Sequence, residues 1–163
     1  MTNKTPATPR QPLSKLQKQV IALLVLSVAI NYIDRGNLSV AAKSLSVELS
    51  ITPQQLGVLH SMFFLTYAFF QIPCGWLVDR FNVNWIFAGG YALWSLATGV
   101  TGFAGSFAML AGLRLVLGAG EAVAYPSYSK LIANTFAEHQ RGFANALIDV
   151  GTKVGPTVGT LMG

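Results

Sequence analysis

Runs of about twenty mostly apolar residues, the length that crosses a hydrocarbon core at 1.5 Å per residue, recur five times along this chain. They lie at Val20–Ala42, Gln55–Val78, Val83–Ala104, Phe107–Leu131 and Gly142–Gly163. A backbone inside lipid must satisfy its own hydrogen bonds, and runs of this length do so as helices. The expected fold is therefore an all-α membrane protein with five transmembrane helices. Composition agrees, since 10% of residues are charged and mean hydropathy is +0.50. An ordinary soluble domain carries roughly 25% charged residues.

The connections are short. "KSLSVELSITPQ" holds a helix-entry signal at Thr52 and Pro53, "DRFNVN" is a tight turn, and "GFAGSF" brings hairpin glycines. Residues 1–19 are expected to be a disordered, basic cytoplasmic leader, because "TNKTPATPRQP" is polar and proline-rich. A pI near 9.6 suggests nucleic acid in a soluble chain, but Lys4, Arg10, Lys15 and Lys18 belong to this leader. Basic residues in short loops favour the cytoplasm. Arg80, Lys130 and Arg141 join the leader on one side and Lys43 stands alone on the other, so the N-terminus is expected inside. The fifth run then ends with the sequence at Gly163, which reads as a truncated chain.

Cys74 is the only cysteine, which excludes an intrachain disulfide. His60 and His139 are far apart and outside any HExxH pattern, and no phosphate loop or nucleophile motif occurs, so neither metal nor enzymatic chemistry is indicated. The basic leader, apolar core and "SVAA" at Ser39–Ala42 imitate a signal peptide. The leader is too long for one, and Asp34 and Arg35 interrupt the path to the would-be cleavage site.

Charges inside the apolar runs point to function, because a charge at membrane depth costs several kcal/mol unless it faces protein or water. The first run holds Asp34 and Arg35, and the fourth holds Arg114 and Glu121; the third has no ionisable acid or base and can face lipid. With antiparallel helices, Asp34, Arg35 and Arg114 share a level about 11–12 Å below one surface. Glu121 is roughly 10 Å deeper, on nearly the same face as Arg114. Side chains lean toward their own helix N-terminus, so Arg35 and Glu121 converge. Asp34 is assigned to Arg114. A purely structural set of ion pairs is the competing reading, but buried pairs are poor stabilisers. Tyr67, Thr66 and Gln71 could hydrogen-bond a polyhydroxylated ligand, or Tyr67 could be a packed ring.

"GWLVDRFNVN", Gly75–Asn84, resembles the loop between helices 2 and 3 of the major facilitator superfamily: Gly75, Leu77, Asp79 and Arg80 match, while Asn82, Val83 and Asn84 replace a glycine and a basic pair. "NYIDRGNLSVA", "RLVLGAGEAVAYPS" and "RGFANALIDVGTKVGP" are similar to the superfamily's anion:cation symporters, especially the bacterial sugar-acid:proton symporters and their sialin-like relatives. The resemblance implies an N-terminal half of the fold, with further C-terminal helices as partner. It implies that Arg35 pairs with a substrate carboxylate, that Asp34 and Glu121 are protonatable with Arg114 beside them, that Tyr67 and Gln71 flank the substrate, and that Gly75, Asp79 and Arg80 form a gating loop. The function so implied is symport of a small organic anion, a sugar acid such as a hexonate, aldarate or hexuronate, with protons across a bacterial inner membrane; no cofactor is called for. A drug antiporter, suggested by "GTKVGPTVGT" at Gly151–Thr160, and a non-transporting sensor are the alternatives.

Overall fold

The structure, a computed structural model, describes residues 12–162. Residues 1–11 of the expected leader lie outside the described residues. Helix α1 spans Lys15–Glu48 and so begins five residues earlier than the apolar run. The cause is a capping box: Ser14 Oγ accepts from the Gln17 amide, and Gln17 Oε1 accepts from the Ser14 amide. Helix α2 spans Pro53–Arg80 and starts the same way, with Thr52 and Gln55 reciprocally bonded and Pro53 in the first turn. Between them Ser50 turns the chain at φ 52°.

Helix α3, Val83–Thr101, is capped by Asn82, and Ser106 caps α4, Phe107–Glu121. The fourth apolar run, expected as one helix, is divided. Pro126 has no N–H for the Ala122 carbonyl and its ring crowds that carbonyl, so the helix opens into a turn at Ala122–Val123. It resumes as α5, Ala124–Thr135, where the Ser127 amide bonds the Val123 carbonyl at 3.1 Å. Helix α6 spans Glu138–Met162. Among the described residues, six helical elements therefore cover the five apolar runs. Helices α1, α2 and the combined α4–α5 span, Phe107–Thr135, are each long and apolar enough to cross a membrane.

The broken span is the most buried of these three; α2 and α3 pack closely on α4, whereas α1 packs chiefly on α6. Helix α1 runs parallel to α6: Gln17 bonds Gln140, and Val28 lies against Gly151, the same sequence offset two turns or more along. Small residues decide how closely α4 is approached. Gly118 abuts Thr66 Oγ1 and the backbone of Phe63 and Tyr67 on α2, while Gly120 meets Trp94 and Gly90 on α3. The third span exposes Trp85 and Leu96, as expected of a lipid-facing helix, but buries Trp94 and Ala97 against its neighbours. It is therefore half inside the bundle.

Candidate functional site

Asn31, Tyr32, Asp34 and Arg35 occupy one and a half turns in the middle of α1, and their directions differ. Arg35 points to α4, where Nε donates to Glu121 Oε2 at 2.8 Å; the glutamate side chain is 0% exposed and the arginine side chain 16%. Expected from depth alone, this pair is formed. Its guanidinium carbon also sits 4.5 Å from the Tyr67 ring centre, 4.9 Å from Tyr32 and 5.5 Å from Phe63. Phe63 and Tyr67 stack at 17° on one face of α2, which holds two walls of this aromatic cage in place. Only Nε is engaged by Glu121, and Nη2 is buried without a hydrogen-bond partner. A guanidinium bound side-on at Nε keeps donors for a second carboxylate.

Asp34 does not form the expected ion pair with Arg114. About 100° around α1 from Arg35, its Oδ2 accepts the Trp94 indole N–H of α3 at 2.7 Å. Arg114 is 6% exposed, and no carboxylate among the described residues lies within ion-pair distance of it. The two instead line one cavity of about 290 Å³ bordered by α1, α3 and α4, with Thr98 and Glu48 also in its wall. Rise per residue correctly put Asp34 and Arg114 at one level, but Trp94 reaches the carboxylate first. By contact the charges fall into two groups, Arg35 with Glu121 in the cage and Asp34 with Arg114 along the cavity, and Arg114 and Asp34 also lie within electrostatic reach of Glu121.

Gln71 is half-buried one turn beyond Tyr67 on α2. The residues expected in a gating loop are not in a loop: they form the last turns of that helix, and the chain leaves it only after Arg80. Asp79 accepts from Lys130 Nζ of α5 at 2.9 Å, Arg80 covers the Trp76 ring at 5.4 Å, and Gly75 lines a groove of about 320 Å³ between α2 and α5. Residues that sequence reasoning passed over are Asn31, Tyr32, Phe63, Trp94 and Lys130. Asn31 and Tyr32 stand four and three residues before Arg35, a spacing that puts them on its face and was available in the motif itself. Further along α1 and α5, Tyr32 bonds Tyr125 and Ser27 bonds Tyr128, at 3.0 and 2.9 Å, which zips the two helices together in antiparallel register.

The sequence profile of the Major Facilitator Superfamily matches residues 24–163. Among curated proteins, the chain is similar to a probable sulfoacetate transporter of Cupriavidus necator, 35% identical over 144 residues, which are 88% of this chain and 34% of that protein. The D-galactonate transporter of Escherichia coli is 35% identical over 135 residues, 83% of this chain and 31% of the relative. A probable galactarate/D-glucarate transporter of Pseudomonas putida is 33% identical over 142 residues, 83% and 31%. The chain spans about a third of the length of these relatives. Among solved structures, a bacterial homologue of the human lysosomal transporter Spinster, inward-facing and occupied, superposes with a TM-score of 0.86 at 27% identity, over 91% of this chain and 32% of that one.

Proposed function

The chain belongs to the major facilitator superfamily, a family of transporters and not of enzymes, and from that premise we propose that it supplies the N-terminal half of a proton-coupled symporter for a small organic anion, a sugar acid. Relatives named for galactonate, galactarate and glucarate support the substrate class. The observation that carries the reading is the Arg35 guanidinium, mostly covered by an aromatic cage with one edge on Glu121 and Nη2 buried and unsatisfied. A desolvated cation of this kind suits an anionic ligand and repels a cationic drug.

The same geometry suggests how a proton and an anion travel together. Glu121 and a substrate carboxylate compete for one guanidinium. Protonation of Glu121 removes the ion pair and frees Arg35 to take the substrate carboxylate with its fork. Tyr67, beside Arg35, and Gln71, one turn further along α2, then meet substrate hydroxyls. Loss of the proton on the opposite side restores the Glu121–Arg35 pair and expels the anion. Asp34, held by Trp94 and near Arg114, is a second proton site. Alternating access by rocking two helical halves needs C-terminal helices as partner. In this proposal the lipid is a bacterial inner membrane, the N-terminus is cytoplasmic, and Gly75, Asp79 and Arg80 belong to a gate at the cytoplasmic end.

The test is uptake into proteoliposomes holding the product of the complete reading frame that encodes this chain. A proton gradient directed inward is expected to drive accumulation of galactonate or glucarate. Arg35→Lys is expected to weaken anion binding about tenfold to a hundredfold, because a point charge does not reproduce the bidentate fork. Accumulation indifferent to the gradient would sink proton coupling, and unchanged affinity in the lysine variant would remove Arg35 from the site.

A further inference from the structure

Asn31 is 1% exposed in the middle of an apolar bundle, and neither its Nδ2 nor its Oδ1 has a hydrogen-bond partner. It stands one turn from Arg35 on the same face of α1 and lies beside the Glu121 carboxylate, just outside hydrogen-bond geometry. Glu121 Oε1, the oxygen that Arg35 does not hold, is likewise buried and unpartnered. Buried polar groups are nearly always satisfied, so an amide and a carboxylate oxygen left open side by side indicate a partner state other than the one seen.

We propose that Asn31 is the positioning residue of the proton switch, its amide holding Glu121 in place when the carboxyl is protonated and Arg35 has left. This rests on the reading of Glu121 as a proton carrier. The chemistry follows from what protonation changes. An ionised carboxylate only accepts hydrogen bonds, and Arg35 serves it. A protonated carboxyl carries an O–H that needs an acceptor, and a guanidinium, which only donates, cannot be one. Of the neutral side chains, an amide meets both states: Oδ1 accepts the O–H of the acid, and Nδ2 donates to the carboxylate.

The other polar groups nearby are unsuited. The hydroxyls of Tyr32 and Tyr128 are engaged with Tyr125 and Ser27. The charged or titratable groups that face Glu121 are Arg35 and Asp34 on α1, Arg114 on its own helix and Tyr128 on α5. Tyr67 on α2 and Tyr91 on α3 lie against Arg35 and Trp94 respectively, and Asp149 and Lys153 on α6 are exposed. Among the described residues none of these makes a hydrogen bond to the open oxygen.

Infrared difference spectroscopy of the full chain in lipid nanodiscs, stepped in pH, tests this without requiring transport. The C=O stretch of the protonated Glu121 carboxyl is identified by its loss in Glu121→Gln. In Asn31→Leu, a swap of similar size, that band is expected to shift to higher frequency, as a carboxyl does when its hydrogen bond is removed. Ser27→Ala, one turn away on the same buried face, is expected to leave it in place. If no band vanishes in Glu121→Gln, the proton-carrier reading fails and this proposal with it. If the band is present but does not move in Asn31→Leu, or moves equally in Ser27→Ala, Asn31 is only packing and the proposal alone is overturned. Should Asn31→Leu fail to fold, Asn31→Thr, whose hydroxyl can both donate and accept, is expected to keep the band within the hydrogen-bonded range, and a band at the free-carboxyl position there would equally overturn it.

Discussion

Replacing Gly118 by alanine asks how closely the α2–α4 contact is fitted. A Cβ at this position would run into Thr66 Oγ1 and the Phe63 carbonyl oxygen, and would stand 3.1 Å from the Tyr67 amide nitrogen. The Thr66 hydroxyl is already bonded to the Met62 and Phe63 carbonyls at 3.1 Å, and the other two atoms are backbone, so no side chain can simply swing aside. The helices must part, at about 1–3 kcal/mol for overpacking. Gly112, one and a half turns earlier on α4, has nothing within 4 Å of a built Cβ. Gly112→Ala should therefore only gain helix propensity, roughly 0.5–1 kcal/mol. The two variants are expected to differ by about 3 kcal/mol, a factor on the order of 100 in the folding equilibrium. Unfolding in mixed micelles titrated with dodecyl sulfate, followed by near-ultraviolet circular dichroism, measures it. Equal midpoints for Gly118→Ala and Gly112→Ala would refute the argument. Parting α2 from α4 also withdraws Phe63 and Tyr67 from Arg35, so weaker anion binding should accompany the lost stability.

Glu121→Gln keeps the shape of the acid but cannot release a proton; it should retain substrate counterflow and lose accumulation driven by a proton gradient, and Asp34→Asn should show the same defect. Gradient-driven accumulation at the unaltered level in both would make these acids structural. Trp94→Phe keeps an aromatic ring beside Tyr91, 4.4 Å away, but removes the 2.7 Å bond to Asp34. About 1.5–3 kcal/mol should be lost in the same titration, the range for a hydrogen bond to a charged group. Trp85→Phe, on the exposed face of α3, should change stability by no more than about 0.5 kcal/mol. Asp79→Asn breaks a pair whose side chains are 74% and 36% exposed, and should cost less than about 1 kcal/mol; a larger loss would mean that Asp79 has a further partner.

Levels along the helices were legible in the sequence. Rise per residue is nearly constant, so the run boundaries alone put Asp34, Arg35 and Arg114 at one height and let Arg35 meet Glu121. The helix starts at Ser14 and Thr52 follow from side chains bonding their own backbone within three residues, which is also local information. Pro126 was visible too, and its missing N–H accounts for the turn at Ala122–Val123 that divides the fourth run.

What a carboxylate touches across the bundle is not local. Asp34 faces Trp94 rather than Arg114 because α3 comes in against α4 where Gly90 and Gly120 leave room for it, and that azimuth has no counterpart in any one-helix pattern. The aromatic-rich third span looked suited to lipid, yet one of its tryptophans serves the charged centre and another faces outward, because a helix has two sides and only packing tells which is covered. Heights were determined by the sequence because helix rise is a property of the chain alone, whereas partners were decided by the tertiary structure because they depend on how closely neighbouring helices can approach.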